Sequence, residues 1–84
     1  MRKRKLLEKA LNAPQNLRFA DLCTLAEAFG YSLDRVKGSH HIYIHPRADR
    51  PLNFQNAGGN AKTYQVRQFL RDIEEFHLTL LDEP

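Results

Sequence analysis

The chain has 84 residues, 42% of them hydrophobic and 27% charged, with a formal net charge of +3 at pH 7 and a pI near 9.3. That composition fits one small globular domain, residues 1–84, with a modest core, and excludes a disordered chain. No stretch approaches the roughly 20 apolar residues that a bilayer span needs. A single cysteine permits neither an intramolecular disulfide nor a Cys-based zinc site, so a reducing cytoplasm is the expected setting.

The opening MRKRKLLEKAL is basic like the start of a signal peptide, but Glu8 and Lys9 interrupt any apolar run after it. Residues 2–11 instead predict a short helix with Leu6, Leu7, Ala10 and Leu11 on one side. Asn12–Asn16 ends it, because Pro14 cannot continue a helix and biases its predecessor away from helical geometry. Residues 1–16 read as an N-terminal extension to a core over 17–78. Phe19, Leu22, Leu25, Ala26 and Phe29 follow the spacing of an amphipathic helix, and Gly30 stands where a left-handed cap costs little.

From Tyr31 the period changes to two. A strand over Tyr31–Lys37, a tight turn at Gly38–Ser39 and a second strand over His40–His45 follow, with Pro46 as the stop. After RADRP a third short strand spans Leu52–Gln55. The flexible loop NAGGNAK then leads to a second strong helix, with Val66, Phe69, Leu70 and Ile73 at i, i+3, i+4 and i+7. Leu78–Leu81 reads either as a final strand or as a tail packed on the core. This order predicts an α+β fold: a three-stranded antiparallel sheet with helices on one face, preceded by an extra N-terminal helix.

Charge is unevenly distributed. Arg2–Lys5 is a basic run, Arg35, Lys37, Arg47, Arg50, Lys62, Arg67 and Arg71 follow, and the acids gather at Glu74, Glu75, Asp82 and Glu83. This is a mild bias towards polyanions or an acidic partner. GGNAKTYQVR puts glycines and backbone N–H groups at a helix start, an arrangement suited to anions although it lacks P-loop spacing. Lys37, Lys62 and Arg67 are the candidates for phosphate contact; a plain loop with a capped helix fits the same residues. Cys23 falls among apolar helix positions and reads as a packed small hydrophobe.

Three of the four histidines fall within KGSHHIYIHP, Lys37 to Pro46. Alternation puts His40, Ile42 and Ile44 on one face of the strand and His41, Tyr43 and His45 on the other. Neither face is cleanly apolar. If the isoleucines are core, His41 and His45 look outward; if Tyr43 is core, His40 does. A bulge beside Gly38 would shift the register by one. Neighbouring histidines point apart, and His41 to His45 spans about 13 Å at ~3.3 Å per residue, too far for one ion, so no metal site is expected. An imidazole exchanges protons near neutral pH, and RNA suits so small a site. Its own 2′-hydroxyl attacks the adjacent phosphate, so the protein has only to move protons and stabilise charge, with no cofactor.

FGYSLDRVKGSHHIYIHP resembles the core of the HicA family of bacterial toxins, and LNFQNAGGNAKTYQVRQFLRDIEEFHL is similar to the C-terminal half of one branch of it. The resemblance covers about Phe19 to Leu78. It implies a fold like that of double-stranded-RNA-binding domains and a metal-independent mRNA endoribonuclease. The implied partner is a HicB-type antitoxin that covers the active surface and joins the toxin on operator DNA. The family's essential histidine falls on His40, or on His41 in members that carry it one place later, with Gly38 and Ser39 as the turn that sets it. Two features depart from the pattern: the Arg2–Asn16 extension, and KTYQVRQFLRDI where many active toxins begin the last helix with a Gly-Thr-Leu-type sequence. Two other functions suit the same residues, a non-catalytic RNA-binding module and an inactive relative that docks a partner.

Overall fold

In a computed structural model that describes residues 2–81, the apolar side of the N-terminal repeat becomes α1 (Arg2–Asn12), which packs on α2 (Phe19–Ala28). Leu6 and Ala10 join the same apolar cluster as Leu22, Leu25, Phe54 and Phe69, so the extension is part of the core rather than an appendage. Between the helices Pro14–Asn16 forms one turn of 3₁₀ helix, with the proline at its start where its missing N–H matters least. The acids Asp82 and Glu83 lie outside the described residues.

Strands β1 (Ser32–Lys37), β2 (His40–Ile44) and β3 (Leu52–Gln55) form one antiparallel sheet in the order β1-β2-β3, and α3 (Thr63–Glu75) follows. The order is the expected one. The first strand begins one residue late for a physical reason. Gly30, at φ +97, closes α2 with its N–H on Glu27 O, and Tyr31 sends its N–H back to Ala26 O at 3.1 Å. This double bond pattern is a Schellman cap, so the Tyr31 amide is not free for the ladder. Leu78–Leu81 forms no strand: Leu78 is buried and the Leu81 N–H caps Ala28 O at 2.7 Å, a tail on the core.

The bulge falls at Asp34, between the Leu33↔Tyr43 and Arg35↔Ile42 pairs, rather than beside Gly38. It leaves His40 paired with Lys37 and Gln55, and His41 with Val36 and Phe54. Tyr43, Leu52 and Phe54 are buried against the helices, where Phe54 meets Phe69 at 6.2 Å between ring centroids and Tyr43 at 5.4 Å. Each such side chain contributes about 1.5–3 kcal/mol by burial. Tyr43 therefore decides the faces: His41, Tyr43 and His45 look towards the helices, and His40, Ile42 and Ile44 onto the open side.

Two devices hold the sheet's surroundings. The edge of β3 is blunted where the Gln55 N–H donates to Gln65 Oε1 of α3 at 2.7 Å. The β2–β3 connection is tied to α3 by Arg50, whose Nη2 lies 2.7 Å from both Asp72 Oδ1 and Glu75 Oε1, with its guanidinium 5.0 Å over the Phe76 ring. These hydrogen bonds, donated by Arg50 and above all the one to Asp72, push its guanidinium above its ordinary range.

Candidate active site

The four histidines have four different situations. His40 stands half-buried on the open face beside the hairpin turn, where Gly38 takes φ +60 at the first turn position, as a type II′ turn requires. Its Nδ1 lies 3.1 Å from Asn53 Oδ1, which can only accept, so Nδ1 carries the proton in this contact. The Nε2 lone pair is then left for a ligand. Lys37 is its cross-strand neighbour on the same face.

His41 is packed differently. Its ring meets Phe19 edge-on at 4.8 Å, and its Nδ1 is buried with no hydrogen-bond partner among the described residues. For Nε2 to accept a proton, Nδ1 would have to keep an N–H in that dry position, an unmade bond costing about 1–3 kcal/mol. The packing thus favours the tautomer with hydrogen on Nε2, whose one lone pair lies on the buried Nδ1, out of a ligand's reach.

His45 and His77 are structural. The Arg47 N–H donates to His45 Nδ1 at 2.9 Å, so Nε2 is the protonated nitrogen and donates to Phe29 O at 3.0 Å. Both ring nitrogens are occupied and the ring packs on Tyr31 at 5.0 Å. A side chain at Gly30 would put its Cβ 2.8 Å from His45 Nε2, which gives that glycine a steric role besides its left-handed φ. His77 ends α3 at φ 56, with Leu78 N–H on Ile73 O at 2.8 Å, another Schellman cap.

The expected phosphate residues are only partly gathered. Lys37, Gly38 and Ser39 stand beside His40, and the Ser39 carbonyl accepts the Asn56 N–H at 2.9 Å, joining the turn to the glycine loop. Lys62 is the cap residue of α3 at the far end of that loop, and Arg67 is exposed about a turn into the helix. The loop's amides are largely occupied, contrary to the expectation of a free row: Ala57 and Asn60 bond each other, Gly59 N–H reaches Asn56 Oδ1, and Ala61 N–H reaches Leu17 O. Three of these amides are satisfied within the loop, and Ala61 alone reaches residues 17–19.

Sequence reasoning missed three residues here. Asn53 sits on β3 and meets His40 only through the β2–β3 register; a polar residue in an alternating strand was its sole signal. Phe19 and Arg18 reach the site because the Phe19 N–H bonds Gly59 O at 3.0 Å, which brings the start of α2 onto the loop. Cys23 is half-buried, and burial pushes its thiol up, as befits a packed side chain rather than a nucleophile. Among the described residues no three His, Cys, Asp or Glu side chains cluster as metal ligands, and no helix is long and apolar enough to cross a membrane.

A model of the family described as HicA toxin of bacterial toxin–antitoxin matches residues 19–74, two thirds of the chain. The chain belongs to the HicA toxin family. The match takes in α2, all three strands and almost all of α3, and therefore His40, Asn53 and the glycine loop; α1 lies outside it. No curated protein and no solved structure gives a match. Membership makes the chain the toxin of a toxin–antitoxin system, with an antitoxin as its partner.

Proposed function

We propose that this HicA toxin is a metal-independent endoribonuclease acting on mRNA in the cytoplasm, with His40 as its general acid/base. The observation that carries the reading is the His40–Asn53 contact, which holds the imidazole on the open face with Nε2 directed away from its anchor. A base held by a third group is the arrangement general-base catalysis needs. Nε2 takes the proton of the ribose 2′-hydroxyl as the 2′-oxygen attacks the adjacent phosphorus. The P–O5′ bond breaks, and the departing 5′-oxygen receives a proton from the protonated His40, directly or through water, which returns the imidazole to its neutral form. The products are a 2′,3′-cyclic phosphate and a free 5′-hydroxyl.

Lys37, on the same face, stands where positive charge offsets that developing on the phosphate. Gly38 and Ser39 hold the turn against the strand, and Lys62 and Arg67 extend the positive field towards α3. His41 remains the alternative acid/base, disfavoured by its buried Nδ1. A HicB-type antitoxin would silence the toxin by covering the open face, and the pair rather than the toxin alone would bind operator DNA.

The test is cleavage of RNA by purified toxin with excess chelator, comparing wild type with His40→Ala and His41→Ala. Loss in His40→Ala alone supports the reading. Wild-type protein that binds RNA without cutting it would instead indicate a non-catalytic RNA-binding module, and one that does neither would indicate a protein that only docks its partner.

A further inference from the structure

The arginines of this fold differ in what their side chains do. Arg35 reaches Asp34, Arg47 the His77 carbonyl, Arg50 Asp72 and Glu75, and Arg71 Gln68. Arg18, like Arg4 and Arg67, is exposed and makes no side-chain hydrogen bond or ion pair among the described residues, although Asp21 lies one turn along. What sets it apart is its seat on the glycine loop, which locates its guanidinium. A Cβ built on Gly59 would stand 3.1 Å from Arg18 Nη2, so the guanidinium lies against a residue whose side chain is absent and whose φ of +92 few other residues adopt. The backbone pairs there as a short ladder: Phe19 N–H to Gly59 O, Arg18 opposite Asn60, and Ala61 N–H to Leu17 O. That ladder carries Lys62, the next residue, to the same corner. A placed, unpaired, planar cation matches the geometry of a phosphate group, and Lys62 follows two residues after its ladder partner Asn60.

The corner is joined to the proposed active site on two sides. Phe19, the next residue, packs on His41, which follows His40 on the strand and looks to the helix side. The corner therefore lies at the strand end that His40 occupies on the open face. The loop that Arg18 lies against is bonded to the hairpin turn through Asn56 N–H and Ser39 O. We propose that Arg18, seated on Gly59, binds a backbone phosphate of single-stranded RNA flanking the one cleaved at His40. This rests on the endoribonuclease reading for its position in the substrate, but not for the binding itself. The guanidinium holds the strand and takes no part in bond breaking, so its contribution falls on KM and not on kcat.

The experiment uses a fluorescent single-stranded RNA and its 2′-O-methyl analogue, which lacks the nucleophile and cannot be cut. Arg18→Gln should raise Kd for the analogue and KM for the substrate about tenfold, with kcat unchanged. It should also reduce the slope of log Kd against log salt by about one. Arg18→Met, which keeps the length of the stem, should do the same, with thermal midpoints of both variants near the wild-type value. Variants whose Kd and salt slope equal those of wild type would overturn the inference, as would a wild-type protein that fails to bind the analogue. A wild type that binds the analogue but leaves the substrate intact removes the catalytic reading, and the Kd and salt slope of Arg18→Gln still decide the role of Arg18.

Discussion

Across the open face of the sheet, His40 donates its Nδ1–H to Asn53 Oδ1 at 3.1 Å. The contact joins adjacent strands diagonally, since His40 is in register with Gln55 and Asn53 with Ile42. Its consequence is chemical: it selects the tautomer whose lone pair is on Nε2.

Replacing Asn53 therefore tests the tautomer directly. Asn53→Ala frees the ring and should lower kcat about tenfold, the worth of one hydrogen bond. Asn53→Asp keeps an acceptor but adds a negative charge that favours the charged imidazole. Cleavage by a general base requires the neutral ring, so the acid limb of the pH–rate profile should move to higher pH in Asn53→Asp. A profile unmoved by the new carboxylate would show that Asn53 acts only in the fold.

The two helix ends give opposite stability predictions. Gly30→Ala meets both a left-handed φ of +97 and a 2.8 Å approach to His45 Nε2, and should cost about 2 kcal/mol or more in denaturant unfolding. His77→Gly places the residue best suited to φ 56 at the end of α3 and should stabilise by about 1 kcal/mol. A His77 with any part in catalysis would lose activity in the glycine variant; we expect activity to be retained.

Much of the fold was legible because periodicity reports burial. Phe19, Leu22 and Phe29 in one helix and Val66 and Phe69 in another are spaced as their burial demands. The faces of the histidine strand were not legible, because Ile42 and Ile44 compete with Tyr43 for the core. The outcome depends on Leu52 and Phe54 across the ladder and on a bulge at Asp34 that no local motif announces. Asn53 and Arg18 were hidden for the same reason, since each reaches the site through pairing with residues distant in sequence. The glycine loop read as open because its amides are taken by Asn56 Oδ1, by the mutual Ala57–Asn60 bonds and by the Leu17 carbonyl, none of which a local motif announces.

Alkaline pH should find the buried phenols. Burial, reinforced by the charge of Asp72, pushes Tyr31 up to about 12 from 10.0, and burial likewise pushes Tyr43 up. In the unfolded chain both titrate near their ordinary value, about 10. Their contribution is therefore fully present below about pH 10 and lost as pH rises towards 12, where the unfolded chain releases protons that the folded one keeps. The Tyr31 hydroxyl is buried without a partner among the described residues, so Tyr31→Phe should leave neutral-pH stability unchanged or slightly higher and flatten the decline between pH 10 and 12. A large loss of stability at pH 7 would mean that the hydroxyl is bonded after all.

The most direct measurement is the rate of RNA cleavage by wild type, His40→Ala and His41→Ala at neutral pH in excess chelator. The account predicts a fall of about a hundredfold or more in His40→Ala, with affinity for uncleavable RNA retained and His41→Ala still active. Undiminished cleavage by His40→Ala, with activity lost instead in His41→Ala, would contradict it.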